Sequence, residues 1–302
     1  MVKDALLIGP SGIGQVHLRE LLKKKISKIY LVGKKYKRNR VKKIKFKVSK
    51  KTKLLNLTSI TKAKNFFFNL VCICSPTDQH YKHLNMFKNF SKYIIVEKPF
   101  LWEKNKNTSN YNLIKKILES KKAKIFTNLP MISLASQLKK EREFKKIKNV
   151  TFNYYTKGKK RFKDIPIDLL PHALSFVLTL INKKIYKFKI IKILKEESLW
   201  KCKVIINNCY CKFNFKQDKN RNESFLSFAI NNNHFSRKQI KQKYTNEYVT
   251  KLLLNKQKII HIRNPFTDYY LTIMNNLKKS NILKKNNTIT LISAKMMETL
   301  VN

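Results

Sequence analysis

The opening of the chain constrains its fold more than any later stretch. Ala5-Leu6-Leu7-Ile8 is a short apolar run of the kind found in a strand buried on both faces. Gly9-Pro10-Ser11-Gly12-Ile13-Gly14 turns the chain, and Val16, Leu18, Leu21 and Leu22 then recur among polar residues as on a helix. The same alternation continues. Strands are expected at Lys28 to Gly33, Leu70 to Cys74 and Tyr93 to Val96, with a helix over about Asp78 to Asn89. Strands that alternate with helices build a parallel, doubly wound sheet.

After about residue 123 the pattern changes. Strand-like runs at Ile125-Phe126, Val150 to Tyr155, Tyr186 to Leu194, Trp200 to Ile206, Tyr210 to Phe215, Phe225 to Ile230 and Lys258 to Ile262 follow with few helices between them. Consecutive strands at that spacing predict an antiparallel sheet. Leu169 to Ile181 reads as a strongly apolar helix, and two more helices are expected over Phe266 to Leu277 and Ile289 to Leu300. The fold class is α/β. A Rossmann-type, doubly wound domain is expected over 1–123 and an α+β domain with a mostly antiparallel sheet over 124–302, which suits a chain of 302 residues.

Charge narrows the function classes. Lys and Arg number 67 against 17 Asp and Glu, a net +50 that would ordinarily suggest a nucleic-acid partner. Only eight of those cations are arginine, the residue that reads guanine edges and grips phosphate bidentately. The lysines are spread along the chain and accompany many Asn, Ile, Phe and Tyr, a profile of A/T-rich codons. Salt-sensitive sticking to polyanions is expected, and a specific nucleic-acid site is not. No stretch approaches the ~18 unbroken apolar residues of a membrane span, and the apolar run at Ala5 to Ile8 is too short for a signal peptide. Of the five cysteines, Cys72 with Cys74 and Cys209 with Cys211 form C-x-C rather than C-x-x-C pairs and Cys202 is left over, which reads as buried thiols in a reducing cytoplasm. The six histidines are dispersed, so no metal site is expected.

The motifs point to dinucleotide chemistry. Gly9 and Gly14 hold the outer positions of a G-x-G-x-x-G loop, while Ser11 holds the middle one and Gly12 follows it. With Ile13, these residues would bring backbone and helix N-terminus up to a pyrophosphate. No Asp or Glu lies between Leu21 and Thr77, and Lys34 stands after the second strand, with Lys35, Lys37 and Arg38 following. A cation at that place suits a 2′-phosphate, which slightly favours NADP over NAD; the plainer alternative is that compositional drift removed the acid without selection for the phosphate. Ser75-Pro76-Thr77 ends a strand at its carboxyl edge, where such sheets bind ligands, and also caps the helix that follows. Asp168 and His172 are four apart and share a helix face, where a carboxylate can orient an imidazole for proton transfer. In the plainer alternative Asp168 is an N-cap with Pro171 in the first turn.

Taken in order, the nucleotide loop with His17 after it, Ser75 to Thr77 with His80, Glu97-Lys98-Pro99 and Asp168-Leu169-Leu170-Pro171-His172 resemble the Gfo/Idh/MocA family of NAD(P)-dependent oxidoreductases. The resemblance implies a Rossmann domain and a second domain whose open antiparallel sheet often packs against a partner subunit. It implies that Gly9 to Gly14, Ser75 to Thr77, His80 and Glu97 line the cofactor, and that Lys98 lies both at the cofactor and in the catalytic set. Lys98 and His172 would handle the proton, with Asp168 partnering His172 and contacting a small, sugar-like alcohol or its ketone. Pro99 could fix the loop through a cis bond. An imine substrate, a non-catalytic nucleotide sensor and an inactive descendant of the fold are the rival readings.

Overall fold

The computed structural model describes residues 2–24, 26–33, 52–57, 59–103, 108–120, 122–144, 146–183, 186–241 and 248–301. The chain divides into two compact units, Met1–Asn128 with Ile273–Asn287, and Leu129–Thr272 with Thr288–Asn302.

The first unit is built on β1 (Asp4–Ile8), α1 (Ile13–Lys23), β2 (Lys28–Val32), β3 (Lys53–Asn56), α2 (Ile60–Ala63), β4 (Phe68–Ile73), a single 3-10 turn (Thr77–Gln79), α3 (His80–Phe87), β5 (Ser91–Val96), α4 (Asn110–Glu119) and β6 (Lys124–Thr127). The strands form one parallel sheet in the order β3-β2-β1-β4-β5-β6. Its centre is continuous hydrocarbon: Ala5, Leu6 and Leu7 of β1, Leu70 to Ile73 of β4 and Ile94 to Val96 of β5 are all fully buried. Strands covered on both faces lose the polar alternation of a half-exposed sheet, and so the sequence shows runs here. The strand order reverses between β1 and β4, which opens a crevice at the carboxyl ends of those two strands.

One strand falls on the other side of the expected change of pattern at residue 123. Ile125-Phe126 lies in β6, which pairs in parallel with β5 and closes the edge of the first sheet. A reciprocal bond pair holds it, Thr127 N donating to Asn286 Oδ1 (2.9 Å) and Asn286 Nδ2 donating to Thr127 O (2.8 Å). These bonds span 159 residues, a separation that local pattern does not reveal.

The second unit contains α5 (Met131–Glu141), β7 (Asn149–Lys157), α6 (Asp164–Ile181), β8 (Phe188–Lys195), β9 (Leu199–Ile206), β10 (Cys209–Asp218), β11 (Phe225–Ile230), β12 (Asn233–Lys241), β13 (Tyr248–Leu254) and β14 (Lys258–Ile262). The last helices, α7 (Pro265–Asn275) and α8 (Ser280–Val301), supply residues to both units. Eight strands run in the order β14-β13-β12-β11-β7-β10-β9-β8. All neighbours are antiparallel except β7 and β10. Alternation is clean: Trp200, Cys202, Val204 and Ile206 of β9 are buried while the lysines between them face out. The β9–β10 hairpin turns through Asn207 and Asn208, both left-handed (φ 48° and 65°), as a two-residue hairpin loop requires.

Helix α6 packs against this buried face. Phe176 sits 5.5 Å from Phe152 and 4.8 Å from Phe228 between ring centroids, and each such buried ring contributes about 2 kcal/mol of burial. The helix begins at Asp164, five residues before the expected Leu169. Asp168 therefore lies inside the helix, not at its cap, and Pro171 is an interior residue. Pro171 forfeits one intrahelical bond, and the packing of fourteen buried residues keeps the helix together across it. At 18 residues α6 is apolar and long enough to cross a membrane, a candidate the sequence reading passed over, and most of its residues are buried inside the second unit.

Candidate functional site

The nucleotide loop is shaped by what cannot fit there. A Cβ on Gly9 (φ +78°) would lie 2.6 Å from the Cys74 carbonyl oxygen, and one on Gly14 would lie 2.0 Å from the Gly9 oxygen. Only hydrogen fits at either place, so β1, the turn and α1 press directly against the end of β4. Gly9 N donates to Val32 O (2.8 Å) and Cys74 N to Ile8 O (2.9 Å), which locks the turn between its neighbours. Ser11, Gly12 and Ile13 remain exposed at the start of α1, where the first turn of a helix presents N–H groups without intrahelical partners. This cradle fits the pyrophosphate of a dinucleotide.

Beneath the loop lies a buried polar network. His17 of α1, fully buried, places Nε2 2.7 Å from Glu97 Oε1, at the carboxyl end of β5. Asn128, just past β6, donates through Nδ2 to the same oxygen (2.6 Å), and the Lys98 backbone N–H donates to Glu97 Oε2 (3.2 Å). Burial by itself pushes the His17 imidazole down, and the Cys74 and Cys72 sulfurs with the Glu97 carboxylate outweigh it, holding it well above its ordinary value. Burial likewise pushes Glu97 up, and the His17 hydrogen bond and charge, with Asn128 and Lys98, bring it below the usual carboxylate range. Both shifts favour the charged forms, an imidazolium beside a carboxylate. Burial raises the neighbouring Cys74 thiol to about 11, against the opposing pull of the His17 charge.

A second histidine ties two strand ends together. His80, at the start of α3, has Nε2 2.8 Å from Ser75 O, and its Nδ1 lies 3.0 Å from Pro99 O and 3.1 Å from Phe100 O. Burial lowers its pKa against the opposing pull of those carbonyls. Ser75 is buried with Oγ 2.8 Å from His83 Nδ1, and burial, with His80 and Lys82 nearby, takes His83 down to about 4. Pro76 is exposed and Thr77 half-buried on the rim. The Lys98–Pro99 peptide is cis, and Lys98 is half-buried.

In the second unit the polar end of α6 meets the sheet. Asp168 Oδ2 accepts a hydrogen bond from Gln217 Nε2 (2.9 Å) and lies 3.5 Å from Lys160 Nζ. One turn later, the His172 ring stands edge-on to Tyr154 at 5.3 Å. Tyr154 in turn has the Arg237 guanidinium 5.8 Å from its centroid.

The residues singled out from sequence thus fall into two sets. Gly9, Ser11, Gly12, Ile13, Gly14, Ser75, Pro76, Thr77, His80, Glu97 and Lys98 all gather at the carboxyl ends of β1, β4 and β5 in the first unit. Asp168 and His172 share the polar face of α6 in the second. Lys34 lies outside the described residues. Glu97 is turned into the protein, on His17 and Asn128. From sequence no role was assigned to Asn128, Tyr154, Gln217 or Arg237. Strand alternation puts Tyr154 on the face of Phe152, and that was the one available signal.

Comparison with known proteins bears on this arrangement. Residues 3–107 match the Gfo/Idh/MocA model, described as an oxidoreductase family with an NAD-binding Rossmann fold. No curated protein matches the chain. Among solved structures, UDP-N-acetylglucosamine 3-dehydrogenase GnnA from Acidithiobacillus ferrooxidans aligns with a TM-score of 0.67 at 11% identity, covering 99% of this chain and 97% of that one. The WlbA dehydrogenase from Thermus thermophilus, in complex with NAD and UDP-GlcNAcA, aligns at 0.65 and 12%, covering 99% and 95%. A variant 3-ketoreductase from Actinomadura kijaniata, in complex with TDP-benzene and NADP, aligns at 0.68 and 8%, covering 99% and 97%. These likenesses are of fold. Residues 3–107, which supply most of the first unit, are thus similar to the NAD-binding Rossmann domain of that oxidoreductase family.

Proposed function

We propose that this chain is an NAD(P)-dependent dehydrogenase or reductase of the Gfo/Idh/MocA type, acting on a sugar-like, polyhydroxylated alcohol or its ketone. A nicotinamide cofactor, when bound, would supply the hydride chemistry. The chain's own residues hold that cofactor and manage the proton. The Gly9 to Gly14 turn and the exposed start of α1 bind the pyrophosphate, and Ser75 to Thr77 border it. The Lys98 ammonium stabilises the substrate oxygen as negative charge develops there. His172 accepts the hydroxyl proton on oxidation, or donates it on reduction, and Asp168 contacts the substrate beside it. Preference for NADP follows from the Lys34 neighbourhood, a reading of sequence only. Self-association through the outer face of the second unit's sheet, where Phe225, Ile240 and Ile259 are exposed, belongs to the same proposal.

One observation carries this reading. Glu97 joins the helix that begins at the nucleotide loop, through His17, to the backbone N–H of Lys98. Cofactor loop and candidate catalytic lysine are therefore positioned by one buried carboxylate, which a scaffold without chemistry does not need.

The test is titration of the full chain with NADPH and NADH by nicotinamide fluorescence, followed by a screen of sugar derivatives for turnover. Binding of NADPH that survives added salt is expected, because a groove with fixed N–H donors loses less to screening than diffuse lysines do. Lys98→Ala should lower turnover about 100-fold or more while cofactor affinity stays within about threefold. His172→Ala should behave alike. Absence of binding for either cofactor, or full activity in Lys98→Ala, overturns the proposal.

A further inference from the structure

The second unit holds a cation that the proposed reaction does not use. Arg237 lies on β12 two residues after the buried Phe235, so it projects on the inner face of the sheet, and its register partner on β13 is the fully buried Leu252. It is half-buried. Three other arginines stand beside carboxylates: Arg19 with Glu20, Arg161 with Glu197 and Arg263 with Asp268. Among the described residues Arg237 has no carboxylate at ion-pair distance, and its contact is the face of Tyr154. A guanidinium partly withdrawn from water without a counter-ion carries a desolvation cost that an incoming oxyanion would relieve. Tyr154 is also the ring against which His172 is set. Imidazole and guanidinium thus share one aromatic platform, and Asp168, one turn from His172, is held by Gln217 and Lys160.

We infer that Arg237 is a specificity-determining residue that binds an oxyanion carried by the substrate, so that the substrate is an acidic sugar-like alcohol bearing a carboxylate or a phosphate. This rests on the dehydrogenase reading above and narrows its substrate class. The planar fork of arginine matches either oxyanion bidentately, and the Tyr154 ring 5.8 Å away supports it by a cation–π contact. The hydroxyl to be oxidised then lies toward His172, at the other edge of the ring. A neutral polyol would leave the guanidinium unmatched and should bind more weakly.

The experiment is calorimetric titration of the full chain, with and without NADP, using D-glucuronate, D-glucose 6-phosphate and D-glucose as probes at moderate salt. One anionic probe should bind about tenfold or more tightly than glucose, and which one does so separates carboxylate from phosphate. Arg237→Gln should erase that margin, and Arg237→Lys, which keeps the charge but not the fork, should lose most of it. Arg263→Gln, at an exposed ion pair of the same unit, controls for general attraction to a basic protein and should retain the margin. Cofactor titration should be unchanged in all three variants. Equal affinity for the three probes, no binding of any, or a margin that persists in Arg237→Gln overturns the inference. Failure of NAD(P) binding with an intact margin would instead overturn the dehydrogenase reading, because the probes are also titrated without cofactor.

Discussion

Glu97, 6% exposed, stands 2.7 Å from His17, and each of the two is shifted toward its charged form. The imidazole is held well above its usual 6.5, so the stability it contributes is complete below that value and disappears as pH rises through the higher folded pKa. The carboxyl is held below its usual 4.5, so its contribution is complete above that value and disappears as pH falls through the lower folded pKa. Urea unfolding measured against pH should accordingly show a plateau around neutrality with a decline on each side. His17→Gln should remove the alkaline decline and lower stability at neutral pH by about 3 kcal/mol, because it strands a buried carboxylate. An unaltered alkaline limb in that variant would show that the pair is not charged. Glu97 stood out in the sequence by its place beside Lys98 in the Glu97-Lys98-Pro99 turn. Its partners were not, for they stand 80 and 31 residues away and meet it only where separate strands end together.

At the scale of elements, the strand–turn–helix opening was legible because its determinants are local. An apolar run, a glycine-rich turn and a helical period need no tertiary contact to be recognised. What the structure adds is how tightly the turn is packed. Gly14→Ala would set a Cβ 2.0 Å from a backbone oxygen, so it should destabilise by about 2–3 kcal/mol and weaken cofactor binding at once. Thermal unfolding with and without NADPH reads both, and an unchanged midpoint would mean the turn relaxes at no cost. Helix α6 was less legible. Pro166 and Pro171 argue locally for a later start, and burial against β7 and β11 overrides them. Strands β12 and β13 were missed for a related reason. Ser236-Arg237-Lys238-Gln239 has little strand propensity, and this stretch is held in the sheet by its pairing with Leu252, Lys251 and their neighbours on β13.

For the whole molecule, charge and surface act in opposite directions. A net +50 repels a second copy of the chain, while the outer face of the second sheet exposes apolar side chains that a second copy could cover. Salt screens the repulsion and leaves apolar burial intact. Sedimentation equilibrium should therefore show self-association strengthening with added salt, while nonspecific binding to DNA weakens over the same range. A monomer at every salt concentration would remove the sheet from consideration as a subunit contact.

The parallel, doubly wound first sheet and the mostly antiparallel second one were legible in the sequence alone, because apolar period and turn chemistry act over a few residues. Tertiary structure decided which polar groups face one another: His17 with Glu97, His80 with the carbonyls of two loops, Asp168 with Gln217, and Tyr154 with both His172 and Arg237. The physical reason is that strand order and register bring distant segments into contact, and neither is encoded in the spacing of residues along the chain.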